Sequence, residues 1–172
     1  MISMQTQNYP AYVFATVHNG QTKNVVEELK NNPNIDLIAP VTGRFDLALR
    51  LKQNSPEQIV QLVSKIRQVH GIETTQTLFG FNGINGAHFQ NQMPLGISLF
   101  NVTSPIETFV NQLKSFPGLI EAWTTPGQFD IVALWQARTS DEIVKSAFEK
   151  FPTLQGMARS ETLLAPTPLF KQ

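Results

Sequence analysis

Two copies of a Gly-x-Phe-Asp sequence hold the residues best suited to bind a small charged molecule. The first lies in TGRFD at 42–46 and the second in PGQFD at 126–130. Glycine permits the positive φ of a tight turn, and aspartate can accept hydrogen bonds from nearby backbone N–H groups. Such a turn also suits an amino acid, because the carboxylate would pair with its ammonium group and free N–H groups with its carboxylate. Each copy is therefore either a structural turn or a ligand site.

The two turns differ at the position after the glycine. Arg44 could pair with a ligand carboxylate through two parallel hydrogen bonds, whereas Gln128 could not. If both turns bind, we expect the two sites to be non-equivalent.

The rest of the composition removes several classes of chemistry. Cysteine is absent, which excludes disulfides, thiolate metal sites and cysteine nucleophiles. The three histidines are far apart and lack metal-ligand spacing, and no nucleophile, dinucleotide or P-loop motif is present. We therefore expect no catalytic residues, no metal and no cofactor.

Charge and hydropathy bear on partners and location. The 13 basic and 13 acidic residues balance, whereas nucleic-acid binding usually requires a basic surplus. Apolar runs are shorter than a bilayer span, and the first residues lack the pattern of a secretory signal. The sequence thus predicts a soluble cytoplasmic protein that binds neither nucleic acid nor membrane.

An internal duplication positions both turns. A shift of 84 residues, as from Gly43 to Gly127, aligns the two turns and the segments around them. Each copy has the order strand, helix, strand, turn, strand, helix, strand, from the period of its apolar residues. Helix starts are indicated by capping boxes at 55–58, 104–107 and 139–142. The apolar faces of the second helices include Ile59 and Ile66 in one copy and Ile143 and Phe148 in the other.

This order predicts an α+β fold of two tandem ferredoxin-like βαββαβ domains, packed through their sheets as a pseudo-dimer of the dimeric α+β barrel type. The expected divisions are an N-terminal tail at 1–10, domains at 11–81 and 96–165, a linker at 82–95 and a C-terminal tail at 166–172. Trp123 and Trp135 have Ala39 and Leu51 as counterparts. They either pack on the sheet or form a pocket wall that exists in the second copy alone.

The first copy resembles the effector-binding domain of Lrp/AsnC transcriptional regulators. The resemblance rests on AYVFATV, VVEELKNNPNIDLIAPVTGRFDLALRL and IETTQTLFGF within residues 11–80, and extends more weakly over 96–165 through TPGQFDIVALW. The helix-turn-helix of those regulators is not expected here, because about ten residues precede the first strand.

The resemblance implies that a small amino acid-like effector binds around the turns. Its implied ligand contacts are Gly43, Arg44, Phe45, Asp46, Gly127, Gln128, Phe129 and Asp130, with Thr77 and Thr162 on the last strands. It also implies a homo-oligomer or a regulatory protein partner. The expected function is therefore a non-enzymatic, stand-alone ligand-binding module. The alternatives are a small enzyme of the dimeric α+β barrel type, either a monooxygenase or haem-related, and an assembly or adaptor protein.

Overall fold

The computed structural model describes residues 10–52 and 55–171, so most of the predicted tail at 1–10 lies outside the described residues. The first half contains β1 (Ala11–Val17), α1 (Thr22–Leu29), β2 (Ile35–Pro40), β3 (Leu47–Leu51), α2 (Pro56–Arg67) and β4 (Ile72–Phe79). The second half contains β5 (Phe81–Asn85), β6 (Leu95–Val102), α3 (Ile106–Leu113), β7 (Leu119–Thr124), β8 (Ile131–Gln136), α4 (Ser140–Glu149), β9 (Met157–Ala165) and β10 (Leu169–Phe170). The predicted α+β class and the tandem ferredoxin-like order are confirmed.

The strands form two antiparallel five-stranded sheets, in the orders β10-β2-β3-β1-β4 and β5-β7-β8-β6-β9. Within each sheet, four strands come from one copy of the duplicated sequence. The fifth strand is exchanged, since β5 follows the first copy but pairs with β7, and β10 follows the second copy but pairs with β2. These short strands lie in segments for which the sequence predicts a linker and a tail. They cover a sheet edge that would otherwise expose unpaired backbone groups.

Gly83 shows why the exchanged strand β5 fits where it does. A Cβ atom at this position would lie 2.3 Å from the indole ring of Trp123. Real Cβ atoms do not approach so closely, and glycine is the residue that lets backbone come this near to a ring.

Three apolar cores hold the layers together. One core lies between each sheet and its own helices, and includes Leu49 and Ile66 in the first half and Phe100 and Phe109 in the second. The third core joins the two sheets face to face and draws residues from both halves, as the pseudo-dimer interpretation predicts. Each half alone would therefore expose an apolar sheet face, which burial by the other half removes from water.

At two of the three predicted capping boxes, the hydrogen bond to the N-cap hydroxyl is confirmed. The hydroxyl of Ser55 accepts a hydrogen bond from the N–H of Gln58 at 3.2 Å, and the hydroxyl of Thr139 accepts one from Glu142 at 3.1 Å. The box at Ser104 is wrong, because α3 begins one residue later than predicted, with Pro105 in the capping position and no side-chain cap.

Candidate functional site

The residues shared by the two Gly-x-Phe-Asp turns have clear structural roles. Gly43 and Gly127 have φ values of 132° and 143°, which side-chain-bearing residues rarely adopt. Phe45 and Phe129 are both buried. These properties explain why the glycine and the phenylalanine occur in both halves, without reference to a ligand.

The aspartates of the turns tie two strands together. One carboxylate oxygen of Asp46 accepts the N–H of Val17 at 2.8 Å, and Asp130 accepts the N–H of Val102 at 2.9 Å. In both halves the aspartate thus satisfies a backbone donor at the end of the first strand of the copy. Binding of a ligand ammonium by either aspartate stays a prediction.

Each turn reaches the last strand of the opposite half. Arg44 donates from Nε and from one terminal nitrogen to the two carboxylate oxygens of Glu161, at 2.9 and 3.0 Å. This hydrogen bond raises the pKa of Arg44, against a smaller opposing effect of burial. Gln128, the counterpart of Arg44, is uncharged and forms no ion pair. Its side-chain oxygen accepts a hydrogen bond from the amide of Gln76 on β4. The guanidinium group on which a ligand carboxylate was predicted to bind is therefore already paired within the chain.

An apolar recess beside the first-half turn is a cleft between α4 and β9, with a volume of about 510 Å³. Its helix side consists of Ile143, Val144, Ala147 and Phe148, and its floor carries the hydroxyl groups of Ser160 and Thr162. Thr42 and Gly43 of the first-half turn complete one end. None of the described residues that line this cleft is charged. We call it the second-half cleft.

Phe148 is the main error in the predicted helix faces. The sequence predicts that its ring packs in the core, but 78 % of the residue is exposed. Val144, four positions earlier, is 43 % exposed. Together they place an uncovered apolar surface at the mouth of the cleft, of the kind that marks ligand or partner sites. The sequence could have indicated this surface, because the apolar face of α4 is wider than a single core-facing stripe requires.

A related recess lies between α2 and β4 of the first half, and we call it the first-half cleft. Its volume is about 580 Å³, and it contains Val60, Arg67 and Thr77. A third recess of about 580 Å³ lies on the other side of α4, with Met93, Trp135 and Lys145 in its lining. Of the predicted site residues, Gly43 and Thr162 thus meet in one cleft, while Thr77 lies in another.

A buried polar network joins the two sheets where the sequence indicated apolar packing. Arg50 forms a double hydrogen bond with Asp36, at 2.8 and 2.9 Å, and a further one with Glu121 of the opposite half. Glu121 also accepts hydrogen bonds from the hydroxyl of Tyr12 and the indole N–H of Trp123. A carboxylate that is only 6 % exposed therefore has three partners.

The network perturbs the protonation of its members. Burial is the main reason that the pKa of Tyr12 is well above its usual value, and the charge of Glu121 raises it further. Burial acts to lower the pKa of Arg50, but the hydrogen bond to Asp36 and the charge of Glu121 outweigh it and raise that pKa. Tyr12 is thus held neutral and Arg50 charged.

Trp135 packs in the core, which is one of the two interpretations that the sequence allowed. It is 1 % exposed, its indole N–H donates to the hydroxyl of Ser98 at 2.8 Å, and its ring contacts Phe116 and Phe151 edge-on. It also borders the third recess.

The described residues do not fit a resident haem. Protein ligands to haem iron are usually histidine, cysteine, methionine or tyrosine. His18, His70 and His88 are exposed, and none of them lines any of the three recesses. Met93 is the one residue of these types in their linings. Over the described ranges, moreover, no cluster of histidine, aspartate or glutamate could hold a metal ion. No helix in the same ranges is long and apolar enough to cross a membrane.

Residues 10–84 match the Lrp/AsnC ligand binding domain, in agreement with the resemblance seen in the first copy. No curated protein matches the sequence. Among solved structures, the siroheme decarboxylase NirDL is 11 % identical with a TM-score of 0.69, over 94 % of this chain and 72 % of its own.

Two further solved structures share the fold over nearly the whole chain. A mutant chlorite dismutase from Candidatus Nitrospira defluvii is 9 % identical with a TM-score of 0.60, over 95 % of this chain and 91 % of its own. An anthrone oxidase-like protein is 9 % identical with a TM-score of 0.56, over 92 % and 90 %. At these identities the likeness shows the fold.

The comparisons overturn the expected function. The expectation of a non-enzymatic effector-binding module, and with it the expectation that the chain is not an enzyme, is wrong, because solved structures that share the whole double fold include the enzymes siroheme decarboxylase and chlorite dismutase. Small-molecule binding agrees with the family match, but amino acid binding and transcriptional regulation gain no support. The cytoplasmic location and the homo-oligomer stay predictions.

Proposed function

We propose that the protein is an enzyme of the dimeric α+β barrel type that acts on a haem-related tetrapyrrole, which it binds as substrate in the second-half cleft. The observation that carries this proposal is the combination of an uncharged, apolar cleft with a donor set unsuited to a resident haem. The neighbours in fold include enzymes whose names refer to sirohaem chemistry and chlorite dismutation.

The size and lining of the cleft suit the flat, apolar face of a macrocycle whose carboxylates lie at its solvent-exposed edge. A volume of about 510 Å³ lies within the range of roughly 300–1,000 Å³ that is typical of small-molecule sites. The exposed ring of Phe148 offers an aromatic surface at the mouth, and such surfaces pack well against other π systems. The hydroxyl of Ser160 offers a hydrogen bond to polar groups at the edge of the substrate, whereas that of Thr162 is already bonded to the hydroxyl of Ser98 at 2.9 Å.

In this proposal the chain binds and orients the substrate and excludes water from its apolar face. None of the described lining residues is charged, so a carboxylate buried in the cleft would lack a partner. The carboxylates of the substrate therefore extend toward solvent.

The test measures binding and turnover with iron-uroporphyrin III, sirohaem and haemin as probes. We expect saturable changes in the absorption of at least one macrocycle, followed by a mass change of that compound in the presence of the protein. Ala147→Trp fills the second-half cleft and should abolish both signals. Val63→Trp alters the equivalent residue of the first-half cleft and should leave them intact.

Folding of both variants is checked by thermal unfolding. The proposal fails if the wild-type protein binds none of the three macrocycles, or if Ala147→Trp leaves binding unchanged while the protein remains folded.

A further inference from the structure

The duplication gives the chain two clefts of related construction. Equivalent residues occupy the same places in both, as with Val60 and Val144 on the helices and Thr77 and Thr162 on the last strands. By symmetry alone, one chain would bind two ligands. The structure shows that the two clefts are completed differently.

The second-half cleft is completed by the first-half turn. The N–H of Thr42 donates to the carbonyl of Leu164 at 2.9 Å, and the N–H of Leu164 donates back at 3.4 Å. This β-bridge extends the floor of the cleft beyond β9. Since both bonds are formed by backbone atoms, they do not depend on the side chain of Thr42.

The first-half cleft cannot be completed in the same way. Pro126 stands where the first-half turn has Thr42, and proline has no N–H to donate. Among the described residues, no β-bridge is formed by Pro126, and no residue of its turn lines the first-half cleft.

The space around Gly43 and Gly127 shows how closely each turn approaches the opposite half. A Cβ atom at Gly43 would lie 2.8 Å from Cδ2 of Leu163, so this turn is packed against β9. A Cβ atom at Gly127 would have nothing within 4 Å. Gly127 is therefore not packed against β4, although the next residue, Gln128, accepts a hydrogen bond from Gln76 on that strand.

Resting on the proposed function, we infer that the chain binds one ligand, in the second-half cleft, and that the backbone bridge of Thr42 determines which half binds. The ion pair of Arg44 with Glu161 supports the same turn, but exposed ion pairs contribute little. The difference of Thr42 from Pro126 thus contributes to making the two duplicated halves non-equivalent.

The test compares three variants with the wild-type protein by titration with iron-uroporphyrin III. We expect one equivalent per chain for the wild type and at least tenfold weaker binding for Thr42→Pro. Thr42→Ala retains the N–H group and should bind as the wild type does. Pro126→Thr changes the other turn and should leave the affinity of the single equivalent unchanged. Thr42→Pro is expected to fold, because the equivalent turn already contains a proline.

A second titration separates this inference from the proposed function. The apolar dye anilinonaphthalene sulfonate reports an open apolar cleft whatever its natural ligand is. If none of the three macrocycles binds the wild type, the proposed function fails. One bound dye molecule per chain, lost in Thr42→Pro and kept in Val63→Trp, would still support the inference. Two equal sites in the wild type, or equal losses in Thr42→Ala and Thr42→Pro, overturn it.

Discussion

Replacing Arg50 by leucine should destabilise the protein strongly, because it removes the cation that pairs with the buried carboxylate of Glu121 and the partly buried carboxylate of Asp36. Arg50 contacts both Asp36 and Glu121, whose side chains are 17 % and 7 % exposed. Breaking a buried ion pair from one side destabilises a fold by about 3–5 kcal/mol. The side chain of Arg50 retains 21 % exposure, so we expect a loss near the lower end, about 3 kcal/mol.

The duplicated half provides the matched control. The counterparts of Tyr12, Asp36, Arg50 and Glu121, by strand register and alignment, are Ile97, Ile120, Leu134 and Leu37. The quadruple variant Tyr12→Ile, Asp36→Ile, Arg50→Leu and Glu121→Leu therefore replaces the network by residues that already pack on the other side of the interface. Replacing a whole buried ionic network by apolar residues is often neutral or stabilising by about 1–4 kcal/mol. The indole N–H of Trp123 loses its Glu121 acceptor in this variant, so we expect the quadruple variant to recover part of the stability lost in Arg50→Leu.

The assay is urea unfolding followed by fluorescence and circular dichroism, with coincident transitions required before a free energy is extracted. A loss of about 3 kcal/mol corresponds to a fall of roughly 6–12 °C in the thermal midpoint for a chain of this size. A loss below about 1 kcal/mol for Arg50→Leu would mean that water or alternative partners solvate the two carboxylates, and the reasoning would be refuted. It would also be refuted if the quadruple variant were as unstable as the single one.

Three further changes test individual contacts. In a Tyr9→Phe background, the phenol of Tyr12 should resist ionisation above pH 10, its ordinary pKa. Because the pKa of Tyr12 is raised in the folded state, its contribution to the free energy of unfolding is complete below about pH 10 and is lost as the pH rises. Tyr12→Phe should remove this fall of stability with pH from alkaline unfolding curves. Asp46→Ala leaves the N–H of Val17 without its acceptor and should lower the free energy of unfolding by about 1–3 kcal/mol, whereas an unchanged midpoint would show that water replaces the carboxylate. Ser55→Ala removes the α2 cap and should reduce stability by about 1 kcal/mol in urea unfolding, and no loss would indicate that the cap is formed by another group.

Much of the fold could be predicted because its signals are local. The repeated apolar periods predicted both βαββαβ halves, and Ser55 and Thr139 cap their helices as expected. The prediction failed at Ser104, where Pro105 takes the capping position and the serine hydroxyl has no partner. A sequence pattern shows that a cap is chemically available but not which residue begins the helix.

The candidate site was harder to predict. The sequence pointed to the turns, and Gly43 and Thr162 do lie in the second-half cleft. It did not indicate Val144 and Phe148, because an apolar helix residue is expected in the core until the packing around it is known. It also did not indicate the pairing of Arg44 with Glu161, which are 117 positions apart.

By itself, the sequence determined the duplication, the order of the elements and the left-handed glycine turns, because periodicity, caps and positive φ depend on neighbouring residues. Only the tertiary structure decided which groups of the two halves meet. The bridge of Thr42 with Leu164 and the pairing of Arg50 with Glu121 both require two sheets to dock in one register. A hydrogen bond between distant residues forms where packing brings donor and acceptor together. The lack of an N–H group in Pro126 therefore became relevant only when the partner of Thr42 was known.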